Sequence, residues 1–323
     1  MVMCILRQVT FTICIAVFCG CASRPLPSTN LNATEGYIKS KDGVQLHYQM
    51  IGTGSDTVVV LHGGPGFDKG YLAPDLEPLG KSHVVIFYDQ RGSGRSTLVT
   101  DSAIINIDAH IADVDAVRQH FSIRKLSLIG HSWGALLAAR YALNHPELVY
   151  KMIFLNPGPL RRTPYMQQLV PNVSKWMDST TLIELQKLRS ARQDRTINVQ
   201  VSCRNFWNLF IRGYFFDPFD TTLIQKMRGD FCSASATAIK NLSLVNSLTW
   251  ASIGEYDWRG SFRNVHLPVL IIAGEKDIFH NESFNEWQQA FPGSAILIIK
   301  GTGHYSHVEK PEAVFSAINN FLR

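Results

Sequence analysis

A tight turn between a predicted strand and a predicted helix constrains this chain more than any other feature of its sequence. Residues 130–134 have the pattern G-x-S-x-G and lie between the apolar run 126–129 and the helix-forming run 135–143. The glycines leave space where a side chain would collide with the neighbouring strand or helix. Such a turn lifts its serine hydroxyl to a position that a base and a substrate can reach. The pattern predicts a nucleophile at Ser132; an incidental serine in a plain turn is the alternative.

Apolar runs alternate with helical patterns on both sides of this turn. Strands are predicted at 45–51, 57–61, 83–88, 126–129, 152–155, 269–273 and 295–299, and helices at 104–121, 135–144, 282–291 and 311–322. This alternation predicts an α/β fold, with a mostly parallel sheet that helices cover on both faces.

A long segment interrupts this alternation. Residues 158–262 are rich in aromatic side chains and have mostly helical patterns. We interpret them as a helical cap inserted over the carboxyl edge of the sheet, where some of its aromatic residues would face a pocket. The core would then comprise residues 37–157 and 263–323.

The amino-terminal residues 1–21 differ from the rest of the chain. Arg7 is their only charged side chain, and the apolar run that follows it has the length of a signal-peptide core. Residues 18–23 resemble a bacterial lipoprotein processing site, in which Cys21 would carry the lipid. Cleavage without lipidation and a buried first helix are the alternatives. Residues 22–36 are polar and contain prolines, so we expect a flexible tether.

This leader predicts a protein of the cell envelope, anchored to a membrane and facing the periplasm or the exterior. A soluble secreted or periplasmic protein is the alternative. Cys203 and Cys232 are the only cysteines beyond residue 21. In an oxidising compartment they could pair, or they could be two small buried apolar residues. They lack the clustering of a zinc site, and no other metal site is evident.

The net charge of +5 is spread along the chain. Because no basic stripe is interleaved with aromatic residues, the sequence argues against a nucleic-acid partner.

A serine nucleophile requires a base, an acid that orients the base, and donors for a negatively charged oxygen. In a chain of this architecture the order is serine, acid, histidine. Asp277 follows the run 269–273, and His304 follows the run 295–299, so each lies just past the carboxyl end of a predicted strand. Glu275 is a rival acid and His307 a rival base.

The glycine-rich segment 62–66 follows the predicted strand 57–61. Its glycines let the backbone turn so that an N–H faces a pocket. We assign the N–H groups of Gly64 and Trp133 as the pair that would hold the oxyanion. A plain glycine turn is the alternative.

These motifs resemble the α/β-hydrolase superfamily and, within it, the prolyl iminopeptidase family of serine peptidases. The resemblance rests on residues 62–66, 89–96 and 130–134, with Asp277 and His304 in register, and it covers about residues 37–323. It implies the α/β-hydrolase fold, an acyl-enzyme mechanism without a cofactor, and removal of amino-terminal residues, often proline.

The chain departs from that family where the family recognises a substrate amine with glutamates. A Trp-Glu pair of one branch would fall at Trp207, but Asn208 follows it, and Ile278 stands where another branch has glutamate after the catalytic aspartate. The carboxylates that could substitute are Asp217, Asp220, Glu255 and Asp257, each with a surface or capping role as the alternative. Trp207, Glu255 and Asp257 are therefore the candidates for substrate binding.

Three functions remain open from the sequence. The leading one is a serine hydrolase of small amide or peptide substrates, with an amino-terminal prolyl-type aminopeptidase as its most specific form. A carboxylesterase on the same triad is the alternative, and a non-catalytic binding protein on this fold is the third. The partners expected are a small-molecule or short-peptide substrate and a membrane; the oligomeric state is not predicted.

Overall fold

Eight β-strands join in one sheet in the part of the chain that the computed structural model describes, residues 33–191 and 198–323. They are β1 (Thr34–Lys39), β2 (Gln45–Ile51), β3 (Thr57–Leu61), β4 (Val84–Tyr88), β5 (Leu126–His131), β6 (Val149–Leu155), β7 (Val269–Gly274) and β8 (Ala295–Ile299). Their order in the sheet is β1-β2-β4-β3-β5-β6-β7-β8. β1 pairs antiparallel with β2, and β2 with β4, whereas the other pairings are parallel. The predicted mostly parallel sheet is confirmed.

Helices lie between the strands and cover the sheet. Those outside the long segment between β6 and β7 are α1 (Ala73–Leu76), α2 (Ile107–His120), α3 (Trp133–Asn144), α9 (Asn281–Ala290), α10 (Ser306–Glu309) and α11 (Pro311–Leu322). Those between β6 and β7 are α4 (Tyr165–Ser174), α5 (Ser179–Ala191), α6 (Val199–Phe210), α7 (Thr222–Lys226) and α8 (Ala236–Ile253). Among the described residues, no helix is long and apolar enough to cross a membrane.

The two faces of the sheet bury different sets of side chains, because successive residues of a strand point to opposite faces. In β3, Val59 and Leu61 pack into the core that contains residues of α2, α3 and α9. Val58 and Val60 pack into the core that contains residues of α1 and α11. Helices therefore cover both faces, as expected for a sheet whose strands read as continuous apolar runs.

The helices α4 to α8 make up the described part of the predicted cap. They follow β6, which ends the first part of the core, and precede β7, which resumes it. The cap contacts the core at several points, among them hydrogen bonds from Asn246 Nδ2 to Pro65 O at 3.2 Å and from His304 N to Tyr214 O at 2.7 Å. The cap residues thus lie at the carboxyl edge of the sheet, beside the loop of His304.

The predicted tether, residues 22–36, overlaps the first strand of the sheet. Its last residues belong to β1, which begins at Thr34 and pairs with β2 in the register Thr34↔Met50. β1 is an edge strand with mostly exposed side chains, so it lacks the apolar alternation by which strands are recognised in a sequence. The predicted signal peptide, the lipidation site at Cys21 and tether residues up to 32 lie outside the described residues.

Candidate active site

Ser132 occupies a sharp turn between β5 and α3. Its backbone has φ 54° and ψ −117°, a conformation that side-chain-bearing residues rarely adopt. The turn fits only because its flanking residues are glycines: a Cβ at Gly134 would lie 2.1 Å from the Leu61 carbonyl oxygen, and one at Gly130 would lie 2.4 Å from that of Gly134. Ser132 N donates to the carbonyl of Leu155 at the end of β6. The serine is thereby held where the parallel strands end.

His304 and Asp277 form a buried hydrogen-bonded pair in the loops after β8 and β7. His304 Nδ1 lies 2.9 Å from Asp277 Oδ1, and both side chains are almost completely shielded from solvent. A carboxylate can only accept, so the proton of the neutral imidazole lies on Nδ1 and leaves Nε2 able to take another. The backbone N–H of Phe279 also donates to Asp277 Oδ1, at 3.0 Å.

The rival acid and base lie elsewhere. Glu275 is exposed and accepts a hydrogen bond from Gly301 N at 2.8 Å. His307 is buried, and neither ring nitrogen has a hydrogen-bond partner among the described residues. Burial lowers the pKa of His307 to about 3. Neither residue lines the cavity at Ser132.

A cavity of about 80 Å³ opens at Ser132. Ser132, His304 and the two predicted oxyanion donors all line it. The rest of its wall is mostly apolar or aromatic: Phe67, Tyr71, Leu136, Pro159, Met166, Leu169, Tyr214, Trp250, Ile278, Phe279 and Tyr305. Among the described residues that line this cavity, none carries a carboxylate.

The two predicted oxyanion donors have backbone positions suited to that role. Trp133 is the first residue of α3, so its N–H has no acceptor within the helix. Gly64 has φ +124°, which strongly favours glycine. Gly63 brings the loop against the nucleophile, because a Cβ built on it would lie 3.1 Å from Ser132 Cβ.

The segment 89–96 supports this loop. Gln90 Nε2 donates to the carbonyl of His62, and Gln90 Oε1 accepts from the indole of Trp133 at 2.9 Å. Arg91 is buried and pairs with Asp113 and Asp42. The segment therefore connects the glycine loop to the start of α3 through side chains that do not themselves line the cavity.

Asn156 is a site residue that the sequence reasoning missed. It is completely buried directly after β6, and its Nδ2 donates to Asp277 Oδ2 at 2.8 Å. The same group donates to the carbonyl of Gly303, the residue before His304. Its position just past a strand end is the signal that also identified Asp277 and His304, and it could have been applied here.

The candidates for substrate binding lie outside the cavity. Trp207 packs against Phe67 with ring centroids 5.0 Å apart but does not itself line the cavity. Glu255 is exposed and accepts from Thr163 N, and exposed Asp257 is paired with Arg259. These placements do not support the prediction for the three: Trp207 contacts the wall residue Phe67 and not the cavity, and Glu255 and Asp257 are satisfied by their own neighbours.

The other cap carboxylates have similar local roles. Asp217 accepts from the N–H of Phe219, and Asp220 accepts from Thr222. Asn208 is exposed and lines a different pocket, whereas Ile278 is buried in the cavity wall. Of these two departures from the family pattern, only Ile278 lies in the wall of the cavity at Ser132, so it bears more directly on the substrate.

Comparisons with known proteins agree with this geometry. A family model described as the alpha/beta hydrolase fold matches residues 56–311. A proline iminopeptidase of Lactobacillus acidophilus is 34% identical over 306 residues, which cover 87% of this chain and 95% of that protein. The solved proline iminopeptidase of Mycobacterium smegmatis aligns with a TM-score of 0.66 at 21% identity, over 90% of this chain and 97% of that one. An esterase from Exiguobacterium antarcticum aligns with a TM-score of 0.65 at 20% identity, over 90% and 99%.

The chain therefore belongs to the α/β-hydrolase family, and it is a serine hydrolase. Within that class it is a member of the prolyl iminopeptidase-like family, as the motifs predict. At this level of identity the solved structures support the fold and leave the substrate to be argued from the site.

Proposed function

We propose that this enzyme hydrolyses small substrates with a compact apolar acyl group, through an acyl-enzyme on Ser132. Ser132 Oγ attacks the carbonyl carbon while His304 Nε2 takes its proton, and Asp277 holds the imidazole in the required tautomer. The N–H groups of Gly64 and Trp133 stabilise the oxyanion. His304 then gives its proton to the leaving group, and water cleaves the acyl-enzyme by the same steps in reverse.

The wall of the cavity carries this proposal. An amino-terminal residue enters as an ammonium, and moving such a charge into an apolar cavity costs several kcal/mol unless a counter-charge meets it. The described lining offers no carboxylate, and buried Ile278 occupies the place where one branch of the family has glutamate. A substrate without a free amine, such as a short-chain ester, avoids that cost. The cavity volume of about 80 Å³ exceeds several times what one water needs, which suits a small acyl group.

A prolyl-type aminopeptidase is the second candidate. It is favoured by the proline iminopeptidase of Lactobacillus acidophilus, which is 34% identical over nearly the full chain. Aromatic rings in the cavity wall attract a cation by about 0.5–2 kcal/mol. We rank this candidate second because that attraction is smaller than the desolvation cost of the ammonium.

A matched pair of substrates separates the two candidates. The anilides of proline and of cyclopentanecarboxylic acid differ only in the ring amine, and a series of p-nitrophenyl esters from acetate to octanoate measures acyl size. We expect kcat/KM for the cyclopentane anilide to equal or exceed that for the prolyl anilide, and the short esters to be the fastest substrates. A prolyl preference of about 10-fold or more, equivalent to about 1.4 kcal/mol, would contradict the proposal and favour the aminopeptidase.

The nucleophile is tested with the same substrates. Ser132→Ala should lower kcat by about 10⁴-fold or more and abolish labelling by a fluorophosphonate. Ser283→Ala is the matched control, since it removes a buried hydroxyl on α9 that has no hydrogen-bond partner among the described residues. Undiminished turnover in the Ser132 variant would refute the assignment.

We also propose that the enzyme acts in the cell envelope, with Cys21 as its lipid anchor. The apolar leader of the sequence supports export. A disulfide between Cys203 and Cys232 is consistent with it, because such bonds persist in oxidising compartments. The soluble secreted or periplasmic form is the alternative.

A further inference from the structure

The hydroxyl of Tyr71 lies between the glycine loop and the turn of the nucleophile. Tyr71 follows the loop closely in sequence, is 2% exposed, and stacks on Phe231 with ring centroids 4.9 Å apart. Its hydroxyl oxygen is 2.6 Å from Gly63 N and 2.8 Å from His131 Nδ1. His131 is the residue before Ser132 and is 1% exposed. One buried hydroxyl thus contacts two of the segments that build the site.

The direction of each of these hydrogen bonds follows from its donor. The N–H of Gly63 can only donate, so the Tyr71 oxygen accepts there. The carbonyl of His304 can only accept and its oxygen is 3.3 Å from His131 Nε2, so the proton of the neutral His131 ring lies on Nε2, and Nδ1 accepts the Tyr71 proton. Burial lowers the pKa of His131 well below its usual value, which keeps the ring neutral and its Nδ1 an acceptor.

These hydrogen bonds form a continuous series from the glycine loop, at Gly63, to the loop of His304. Gly63 N–H donates to Tyr71 Oη, the Tyr71 hydroxyl donates to His131 Nδ1, and His131 Nε2–H donates to the carbonyl oxygen of His304. A Cβ at Gly63 would lie 2.6 Å from the Tyr71 oxygen, so the loop rests directly on this hydroxyl. An oxyanion donor acts only when it is aimed at the place where charge develops.

We propose that Tyr71 and His131 are positioning residues that hold the Gly63-Gly64 loop and the His304 loop in register around Ser132. Their polar atoms are engaged by the protein, so they act through the loops. The proposal rests on the roles assigned above to Ser132, His304 and the two backbone donors. Without the hydroxyl, Gly63 N–H and His131 Nδ1 would each lose a partner in a buried place.

Tyr71→Phe tests the proposal because it removes the hydroxyl and keeps the ring that stacks on Phe231. We expect kcat to fall about 10- to 100-fold while KM stays within about twofold, since the loss falls on the transition state. The rate of fluorophosphonate labelling should fall in parallel. Tyr88→Phe is the matched control: Tyr88 is fully buried, and its hydroxyl has no hydrogen-bond partner in the described parts of the chain.

A double-mutant cycle distinguishes positioning from independent structural effects. His131→Asn retains an acceptor near the place of Nδ1 and loses the donor toward His304, whereas His131→Leu loses both. After His131→Leu, Tyr71→Phe should lower kcat by less than about twofold further, because residues that act as a unit are not additive. In the His131→Asn background, Tyr71→Phe should still lower kcat by most of the factor that it causes in the otherwise unchanged enzyme.

Two outcomes overturn the inference. One is a kcat for Tyr71→Phe within about twofold of the unchanged enzyme, and the other is single-variant losses that multiply in the Tyr71→Phe, His131→Leu double variant. Labelling of the unchanged enzyme is read first. If it is absent, the assignment of Ser132 fails, and if it is present and Tyr71→Phe labels equally fast, only the positioning role fails.

Discussion

Asn156 uses both protons of its side-chain amide and its carbonyl oxygen in hydrogen bonds inside the protein. Its Nδ2 donates to Asp277 Oδ2 and to the carbonyl of Gly303, and its Oδ1 accepts from Ser306 Oγ at 2.6 Å. One carboxylate oxygen of Asp277 is therefore hydrogen-bonded to His304, and the other is hydrogen-bonded to Asn156. A buried carboxylate that loses such a donor is destabilised, because burial penalises the unpaired charge.

Asn156→Asp tests this role of a single residue. Aspartate has the size and shape of asparagine, and it also tolerates the φ of 45° at this position. Two carboxylates in contact share one proton, so we expect activity to fall as rising pH removes that proton. The loss of kcat/KM at pH 8 should be about 10- to 100-fold, with the optimum moved to lower pH. A pH profile of kcat/KM measures this. Asn106→Asp is the control, since aspartate serves equally well at the helix N-cap that Asn106 forms. An unchanged profile for Asn156→Asp would show that its amide is dispensable.

The difference between Asp277 and Asn156 illustrates how far single residues can be predicted. Asp277 and His304 were found because serine chemistry requires an acid and a base in a known chain order. Serine chemistry does not itself require Asn156 or Tyr71, and although Asn156 lies just past a strand end, nothing in the sequence shows what its side chain contacts. Their roles arise from hydrogen bonds to residues 121 and 60 positions away, at Asp277 and His131.

At the scale of elements, a disulfide connects α6 to the loop between α7 and α8. Cys203 and Cys232 are paired and nearly inaccessible to solvent. Phe231, next to Cys232, stacks between Tyr71 and Trp207 with centroids 4.9 and 5.1 Å away. The bond therefore holds cap residues that pack against the glycine-loop side of the cavity.

Replacing both cysteines by serine should destabilise the fold. The closed loop spans 29 residues, for which the chain-entropy model gives about 3–4 kcal/mol of unfolding free energy. Chemical denaturation with and without reductant measures the effect: the midpoint of the unchanged protein should fall in reductant to that of the variant. The variant itself should not respond to reductant. Equal midpoints for the oxidised protein and the variant would contradict a stabilising disulfide.

The elements themselves were largely predictable. β2, β3, β8 and α11 have the predicted bounds, because alternation in β2, apolar runs in β3 and β8, and the proline at the start of α11 mark them clearly in the sequence. β1 was missed because an exposed edge strand needs its partner β2 to be recognised. The sequence cannot show whether Cys203 pairs with Cys232, because the number of residues between two cysteines does not give the distance between them.

In the molecule as a whole, buried histidines and buried carboxyl groups have opposite effects on the pH dependence of stability. Burial lowers the pKa of four histidines: His62 to about 4, His110 and His307 to about 3, and His131 well below its usual value. These groups are neutral when folded, so their contribution to stability is lost as pH falls below about 6.5, where the unfolded chain takes up protons. Burial raises the pKa of Asp68 and Glu309 to about 7 and that of Asp75 to about 6, so these three groups add stability as pH falls from 7 toward 4 and offset most of the loss from the histidines. We expect a shallow dependence between pH 5 and 7 and a steep loss below about pH 4.

His110→Gln isolates one group from this balance. His110 lies on α2, and its Nε2 is 3.3 Å from Thr249 Oγ1 on α8 of the cap. The free energy of unfolding of the variant, relative to the unchanged protein, should rise by about 1.4 kcal/mol for each pH unit from 6 down to 4. Urea denaturation across this range measures it, with the same substitution at exposed His266 as the control. A difference that does not change with pH would mean that His110 is already protonated in the folded protein.

The class of fold, the family and the residues that serine chemistry requires could all be predicted from the amino-acid sequence. Apolar periodicity sets a strand or helix locally, and a nucleophile, a base and an acid must follow the ends of particular strands. The side chains that line the cavity at Ser132 could not be predicted in this way, because they are set by packing between distant parts of the chain. The cavity at Ser132 is built from the core loops and from cap residues such as Trp250 and Met166, which are distant in the chain. Whether a cap carboxylate meets the substrate or its own neighbours depends on packing across that distance, and here Glu255 and Asp257 meet their neighbours.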